Sequence, residues 1–299
     1  MQKHTALDKV EFEIFLLSPD YSPKNIYTQL YHYTRDDVKQ QIVHGKELHF
    51  RLSRTNTFLD QNEGTAILEP YYHACGHLYE TEEIDHDFFI IARGIGREAL
   101  QNHKSDLWAL CLTPHGQSAF MKERYAAKDG WIISFCSGAL DDVSLYFPTE
   151  YGRFERIEIQ YSFKKMKRLM ESQLKKIFKA YKKDMNHGVP DLSAKVRDLL
   201  MRVVYRYGLR YKGKDYREEK EERLLFYLKA KEQPFEWEPF EKTVEVKYDY
   251  EEGEETVYLI LKPPCFYNAT QELSTYNDER LNGFILNAET IRKVLNEKK

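Results

Sequence analysis

Short strand-like segments mixed with helical stretches are the feature of the first half of the chain that most limits its fold. Between residues 10 and 135 the strand-like segments are FEIFLL, LYHYT, ELHFRLS, DFFIIAR and WIISFC. Helical patterns occur at residues 34–44 and 65–79. A mixture of period-2 and period-3.6 patterns of this kind predicts an α+β fold.

Two long helical patterns follow in the second half of the chain. Residues 155–207 predict two helices that are separated by the sequence HGVP at 187–190. Strand-like runs come next, in ERLLFYLKA, KTVEVKYDY and ETVYLILKP, and NAETIRKVLNEKK predicts a closing helix. Because no internal repeat or low-complexity linker occurs, residues 1–299 are predicted to form one α+β domain with a basic helical insertion at about 155–210.

The composition is typical of a globular protein. Of the 299 residues, 42% are hydrophobic and 14% are aromatic, which suffices for a substantial core. No run of about 18 apolar residues is present, and the N-terminal sequence does not resemble a signal peptide. The four cysteines form no CxxC, which argues against a disulfide scaffold or a zinc ribbon. We therefore expect a cytoplasmic protein without a membrane partner.

Basic charge is concentrated in one segment, although the whole chain has a net charge of −3. Residues 150–215 hold 18 Lys and Arg against 8 Asp and Glu, a net charge of +10, and the remainder has −13. Cations recur with aromatic residues along the first long helix, as in nucleic-acid-binding surfaces. The candidates are Lys164, Lys165, Lys167, Arg168, Lys175 and Lys176. The alternative is an amphipathic helix whose lysines are merely solvated.

The sequence His73-Ala74-Cys75-Gly76-His77 has a spacing that suggests metal ligands. On a strand the side chains of His73, Cys75 and His77 would share one face, but the segment is predicted to be helical, which spreads them around the axis. A zinc site also requires three or four convergent ligands. The simpler interpretation is therefore that these three side chains are buried or exposed without binding an ion, and no metal is predicted.

An acidic cluster precedes the strand-like run ERLLFY. It consists of Glu218, Glu219, Glu221 and Glu222. Carboxylates this close repel one another, which can raise a pKa and create a site for a developing cation. In an extended backbone Glu219 and Glu221 would point to the same face. The alternative is a charged strand edge that prevents aggregation.

Four segments in order carry a family resemblance: LYHYTRDDVKQQIVHGKELHFRLSRTNTFLDQNEG, WIISFCSG, SLYFPTEYG and YREEKEERLLFY. Over about residues 30–290 they resemble the bacterial family described as domain of unknown function 2971. That family typically has a Leu-Tyr-(His/Lys)-Tyr strand, an Asn-Asp-Pro-x-Glu turn and a Glu-Lys-Glu-Trp-Arg strand. The chain departs from the turn at residues 59–63, and it has Tyr146 and Glu222 where tryptophan is usual.

The same order of elements is similar to that of the ADP-ribosyltransferase superfamily. This resemblance implies split antiparallel sheets flanked by helices, and NAD as a substrate. The resemblance assigns Glu221 as the catalytic carboxylate and Glu219 as the group that activates the acceptor. It assigns His32 and Ser53 to NAD positioning, with Tyr33 among the aromatic residues that could stack on the dinucleotide. A carboxylate suits this reaction because cleavage of the nicotinamide bond gives an oxocarbenium-like ribose.

The resemblance implies an ADP-ribosyltransferase-like protein that modifies nucleic acid or protein, as in bacterial toxin or anti-phage systems, where an antitoxin or inhibitor protein is an expected partner. One alternative is a non-catalytic nucleic-acid-binding module that uses the basic helix at 164–183. Another is a metal-dependent hydrolase that uses His73, Cys75 and His77. For His32 itself, the alternative is a half-buried strand histidine that hydrogen-bonds the backbone.

Overall fold

The computed structural model describes residues 5–14, 29–45, 47–55, 64–97, 100, 107–126, 130–229, 234–238, 244–251, 254–262 and 266–270. The helices are α1 (Ala6–Phe12), α2 (Asp36–Ile42), α3 (Leu68–Glu80), α4 (His86–Arg93), α5 (Ala119–Met121), α6 (Gly138–Tyr146), α7 (Phe163–Asn186) and α8 (Leu192–Gly208). The strands are β1 (Gln29–Thr34), β2 (Val43–His44), β3 (Glu47–Arg51), β4 (Ser53–Arg54), β5 (Leu107–Leu112), β6 (Trp131–Cys136), β7 (Gly152–Glu158), β8 (Glu222–Leu228), β9 (Phe235–Trp237), β10 (Val244–Glu251), β11 (Glu254–Leu261) and β12 (Phe266–Thr270). A π-helix spans Lys122–Ala126 and a 3-10 helix spans Lys214–Glu219.

The described residues separate into two compact units. The first unit draws on 1–22, 56–105 and 159–217, and the second on 23–55, 106–158 and 218–299. The first unit contains α1, α3, α4, α7 and α8, and all the strands named above lie in the second. The predicted insertion at 155–210 is thus divided, because 155–158 belong to β7 in the second unit.

The long helix α7 organises the first unit. Its buried side chains recur every three or four residues, which places them on one face that packs against α1 and α3. They include Met166, Met170, Leu174 and Ile177. Near its end, the buried Asp184 carboxylate accepts hydrogen bonds from the amides of Ala6 and Leu7, at 2.7 and 2.9 Å. These bonds satisfy amide donors at the start of α1 that have no partner within that helix.

Two strand predictions are wrong in the first unit. The segment DFFIIAR forms α4, because Asp85 caps the helix by accepting from the Phe88 amide at 3.0 Å, and Phe88 and Ala92 are buried four residues apart. An uninterrupted apolar run does not distinguish a strand from a buried helix by its pattern. The start of FEIFLL is also helical, since Phe12 lies in α1, and its residues from 15 onward lie outside the described ranges.

In the described residues the second unit contains three antiparallel sheets. Their strand orders are β1-β6-β12, β2-β3-β11-β10-β9 and β4-β5-β8-β7. A backbone pair between Tyr31 and Thr113 connects β1 with the residue that follows β5. This pair links the edge of the first sheet to the four-stranded sheet, and the candidate site lies close to it.

The predicted α+β class with antiparallel sheets is confirmed. The helices predicted at 34–44 and 65–79 correspond to α2 and α3, and the two long helices to α7 and α8. The turn at 59–63 and the closing helix at 287–299 lie outside the described residues. No helix in the described ranges is both long and apolar enough to cross a membrane.

A glycine substitution tests the packing of the first unit. A Cβ added to Gly208, at the end of α8, would lie 2.2 Å from the Gly64 carbonyl oxygen, so we expect Gly208→Ala to lower the free energy of unfolding by about 1–3 kcal/mol. Gly76 in α3 has nothing within 4 Å of such a Cβ, so Gly76→Ala should be neutral or stabilise by up to about 1 kcal/mol. Urea unfolding of both variants measures the difference. Equal unfolding free energies of the two variants would contradict the close packing of Gly208 on Gly64.

Candidate functional site

The acidic cluster lies on a tight turn, and the prediction of an extended Glu-x-Glu pair is wrong. The 3-10 helix ends at Glu219, Lys220 adopts a left-handed φ of +42°, and β8 begins at Glu222. A non-glycine residue is uncommon in this backbone region and is costly to hold there. The turn buries Glu219 and Glu221, whereas Glu218 and Lys220 remain exposed.

The hydroxyl of Thr113 holds this turn in place. It donates a hydrogen bond to the Glu219 carbonyl oxygen at 2.8 Å and accepts one from the His115 amide at 3.2 Å. The Thr113 backbone also pairs with Tyr31 of β1 through two hydrogen bonds, at 2.8 and 3.0 Å. One fully buried residue therefore connects β1, the loop after β5 and the acidic turn.

Glu219 has an almost fully buried carboxylate with polar neighbours. The Tyr125 hydroxyl donates to its Oε1 at 2.5 Å, and the Arg124 Nε lies 3.8 Å from the same oxygen. Tyr125 and Arg124 lie in the π-helix at Lys122–Ala126. π-Helical turns are rare and occur frequently at functional sites. No local pattern in the sequence indicates these two contacts.

Glu221 and Glu222 face opposite sides of β8 and have different partners. The Glu221 Oε1 accepts from the Arg223 Nε at 2.6 Å, and both side chains are buried. The Glu222 Oε2 accepts from the Arg156 Nε at 2.8 Å. Burial raises the pKa of Glu222, and the hydrogen bond from Arg156 opposes that rise. Glu222 is thus part of a buried ion pair.

His32 is half-buried on β1 and hydrogen-bonds the backbone. Its Nδ1 lies 3.0 Å from the Cys111 carbonyl oxygen, and its ring contacts Phe50 edge-on at 5.5 Å between centroids. A carbonyl oxygen only accepts, so Nδ1 carries the proton and Nε2 of the neutral ring is an acceptor. Burial lowers the pKa of His32, which keeps the ring neutral at pH 7. This geometry matches the backbone-bonded alternative, and it uses Nδ1 and not Nε2.

Tyr33 and Ser53 have partners in different parts of the second unit. The Tyr33 hydroxyl donates to the His115 carbonyl oxygen at 2.7 Å and accepts from the Ser118 amide at 3.0 Å. Tyr33 is buried and fixes the loop that follows Thr113. Ser53 is exposed on β4 and pairs with Ala109, two residues before Cys111 on β5. By the rise of a strand, Ser53 is therefore displaced by roughly 7 Å along β5 from the residue that binds His32.

A pocket of about 480 Å³ lies beside the acidic turn. Tyr31, His115, Gly116, Glu218 and Lys220 are among its lining residues. Its volume is in the range of small-molecule sites. The Tyr31 ring packs so closely on Gly116 that an added Cβ would lie 2.5 Å from the ring. Burial lowers the pKa of His115, with a further contribution from the Lys220 charge.

Sequence reasoning missed most of the pocket. Its loop reads PHGQS, and Pro114 and Gly116 indicate only a turn. The acidic cluster includes Glu218 but indicates no role for it, and the pattern indicates none for Lys220. The pocket faces Glu218 and Lys220, so the predicted Glu219 and Glu221 lie immediately next to its lining residues in the chain.

The predicted nucleic-acid-binding residues on α7 divide into two groups. Lys164, Lys165, Arg168 and Lys176 are exposed. Lys167 pairs with Glu171 at 3.4 Å, and Lys175 pairs with Glu83. The charges of Lys167 and Lys175 are therefore largely compensated, which makes these two the weaker members of the predicted set.

The predicted helical state of residues 73–77 is confirmed, and it separates the three metal-ligand candidates. His73 and His77 are exposed on α3, whereas Cys75 is buried and burial raises the pKa of its thiol to about 12. The His77 Nδ1 lies 2.9 Å from the Glu171 carboxylate. Within the described residues no group of three metal-ligating side chains converges. The metal-dependent hydrolase has no support in this geometry.

A substitution at Thr113 tests how the turn is held. We expect Thr113→Val to lower the free energy of unfolding by about 1–3 kcal/mol, because it leaves the Glu219 carbonyl and the His115 amide without their buried partner. Thr113→Ser keeps the hydroxyl and removes one methyl group, which costs about 0.8 kcal/mol. Urea unfolding gives the energies, and hydrogen exchange at the His115 amide reports the loop. Equal protection of that amide in both variants would disprove the role of the hydroxyl.

The lowered pKa of His32 predicts a pH dependence of stability. The unfolded chain takes up a proton near pH 6.5, whereas the folded protein resists protonation, so stability is lost as the pH falls from about 6.5 toward the folded pKa. Subtracting the unfolding free energy of His32→Gln from that of the native protein isolates this contribution, because His115 is common to both. The difference should decrease as the pH falls below 6.5. A difference that does not change with pH would refute the contribution of His32 to this pH dependence.

Comparisons of this chain with protein-family models, with curated proteins and with solved structures found no match.

Proposed function

We propose that the second unit transfers ADP-ribose from NAD, with the reacting ribose bound over the acidic turn, and that its fold is related to that of ADP-ribosyltransferases. The observation that carries the proposal is the convergence of β1 and the acidic turn on Thr113. β1 supplies His32, and the turn supplies Glu219 and Glu221. The pocket of about 480 Å³ next to the turn offers space for part of a dinucleotide.

The reaction requires stabilisation of a cation. The bond between the ribose C1′ and the nicotinamide nitrogen breaks, and its electron pair leaves with nicotinamide. The ribose then resembles an oxocarbenium ion, which a fixed carboxylate stabilises in a water-poor site. Glu221 takes this role, since the Arg223 Nε fixes its carboxylate at 2.6 Å. An acceptor oxygen or nitrogen completes the transfer by bonding to C1′ and releasing its proton to Glu219.

Other residues of the site bind the dinucleotide in this proposal. The Lys220 ammonium attracts the diphosphate, and the Tyr31 ring provides an aromatic surface for stacking. The neutral His32 accepts a hydrogen bond from a ribose hydroxyl through Nε2. Tyr33 acts indirectly, by fixing the loop that lines the pocket. The acceptor is nucleic acid or protein, as expected of a toxin or anti-phage enzyme.

Three glutamate-to-glutamine variants test the assignment. The purified protein is incubated with radiolabelled NAD in a cell lysate, and nicotinamide release and label in protein and nucleic acid are measured. We expect Glu221→Gln to reduce nicotinamide release by about 100-fold or more, because the cation loses its counter-charge. Glu219→Gln should reduce labelling of the acceptor more than nicotinamide release. Glu222→Gln is the matched control on the opposite face of β8 and should retain both activities.

Two outcomes would contradict the proposal. One is nicotinamide release by Glu221→Gln at the native rate. The other is an absence of turnover by the native protein together with no NAD binding in calorimetry. Thermal unfolding of each variant identifies losses that come from misfolding.

A further inference from the structure

The exposed face of α7 carries a row of cations that differs from the set predicted from the sequence. We call it the basic stripe; its members are Lys165, Arg168, Lys176, Lys179 and Lys183. With 3.6 residues per turn, all five lie within about 80° of arc around the helix axis. The exposed Ser172 completes the row between Arg168 and Lys176. The buried face, with Met170 and Leu174, points the opposite way.

The stripe is distinct from the compensated cations of the same helix. Lys167 pairs with Glu171, Lys175 with Glu83, and Lys182 with Asp85. These three lie to the side of the stripe. In the part of the chain that the structure describes, the five stripe residues form no ion pair within 4 Å. The positive charge of the stripe is therefore locally uncompensated, although the chain as a whole is acidic.

We infer that the basic stripe binds the phosphodiester backbone of a nucleic acid. A membrane surface is the less suitable partner, because helices that bind membranes bury an apolar face among the lipids. The apolar face of α7 is already packed against α1 and α3. The stripe itself consists only of cations and a serine. Such a surface offers point charges and a hydroxyl, which are the groups that contact phosphates.

The dimensions and the chemistry of the stripe indicate binding without sequence preference. Lys165 and Lys183 are 18 residues apart, which is about 27 Å along a helix. This distance corresponds to the rise of about eight nucleotides along one strand of a duplex. Lysine is a point charge on a flexible chain, so it contacts phosphates without reading bases. The binding does not depend on the proposed NAD chemistry, whose residues lie in the other unit.

The test measures the affinity of the full chain for fluorescently labelled nucleic acids by anisotropy, at 50 to 200 mM salt. The probes are a 20-base-pair DNA duplex and single-stranded DNA and RNA of 20 nucleotides. The stripe variant is Lys176→Gln with Lys179→Gln and Lys183→Gln. The matched control is Lys167→Gln with Lys175→Gln and Lys182→Gln, which removes the same charge from the same helix. Lys165→Gln with Arg168→Gln tests the other end of the stripe independently.

We expect the stripe variant to bind at least about 10-fold more weakly at 100 mM salt and the control to remain within about 2-fold of the native protein. If all three removed residues contact a duplex, the slope of log K against log salt becomes about 2.7 less steep. Glu221→Gln should bind as the native protein does. The preferred probe identifies the class of nucleic acid.

Two results would overturn the inference: no binding of any nucleic-acid probe at 50 mM salt, or equal losses in the stripe and control variants. If the first result is found and the protein instead binds vesicles that contain anionic phospholipid, the stripe is assigned to a membrane surface. Thermal unfolding establishes whether each variant is folded. If the triple stripe variant is not folded, the variant with Lys165→Gln and Arg168→Gln provides the test.

Discussion

The hydrogen bonds of the Thr113 hydroxyl are the interaction on which the candidate site depends. A residue at the end of β5 would normally satisfy only its own backbone, but this side chain also bonds the carbonyl of Glu219 and the amide of His115. The left-handed Lys220 follows Glu219 directly, so a hydrogen bond fixes the residue that precedes the strained position. Backbone strain persists only where its surroundings hold it. That one connection joins the loop that lines the pocket to the turn that carries the two buried carboxylates.

Buried charge on β8 is the second constraint. Glu221 with Arg223 occupies one face of the strand, and Glu222 with Arg156 occupies the other. Removing ions from water is costly, so such pairs are weak evidence for stability. The Glu222 Oε1 and the Arg156 Nη2 are buried, and neither has a hydrogen-bond partner among the described residues. The raised pKa of Glu222 agrees with this, since burial outweighs the attraction of Arg156. Four charged side chains buried around the start of β8 at this cost fit a site better than a simple core.

The sequence predicted those elements whose pattern is periodic. The helix α7 shows a clear 3.6-residue spacing, and buried and less buried residues alternate along β10, so the pattern indicates both kinds of element. The segment DFFIIAR has no polar break, so the helix cap at Asp85 decided its state. The acidic turn leaves no local signal in the sequence, because Glu219, the residue before Lys220, is held by Thr113, which is 106 positions away in the chain. The same is true of Tyr125 and Glu219, which are joined across 94 positions of the chain.

The two proposed activities rest on interactions of different range, and ionic strength separates them. The stripe acts through exposed charges, which salt screens within about 10 Å at 0.1 M. The carboxylates of Glu219 and Glu221 are buried, and screening of buried charges is much weaker. Raising the salt should therefore weaken attraction of a polyanion well before it alters the environment of the acidic turn. If a nucleic acid is the acceptor, salt would reduce its modification while leaving cleavage of NAD, measured at saturating NAD, largely unchanged. A protein acceptor bound without the stripe would show no such separation.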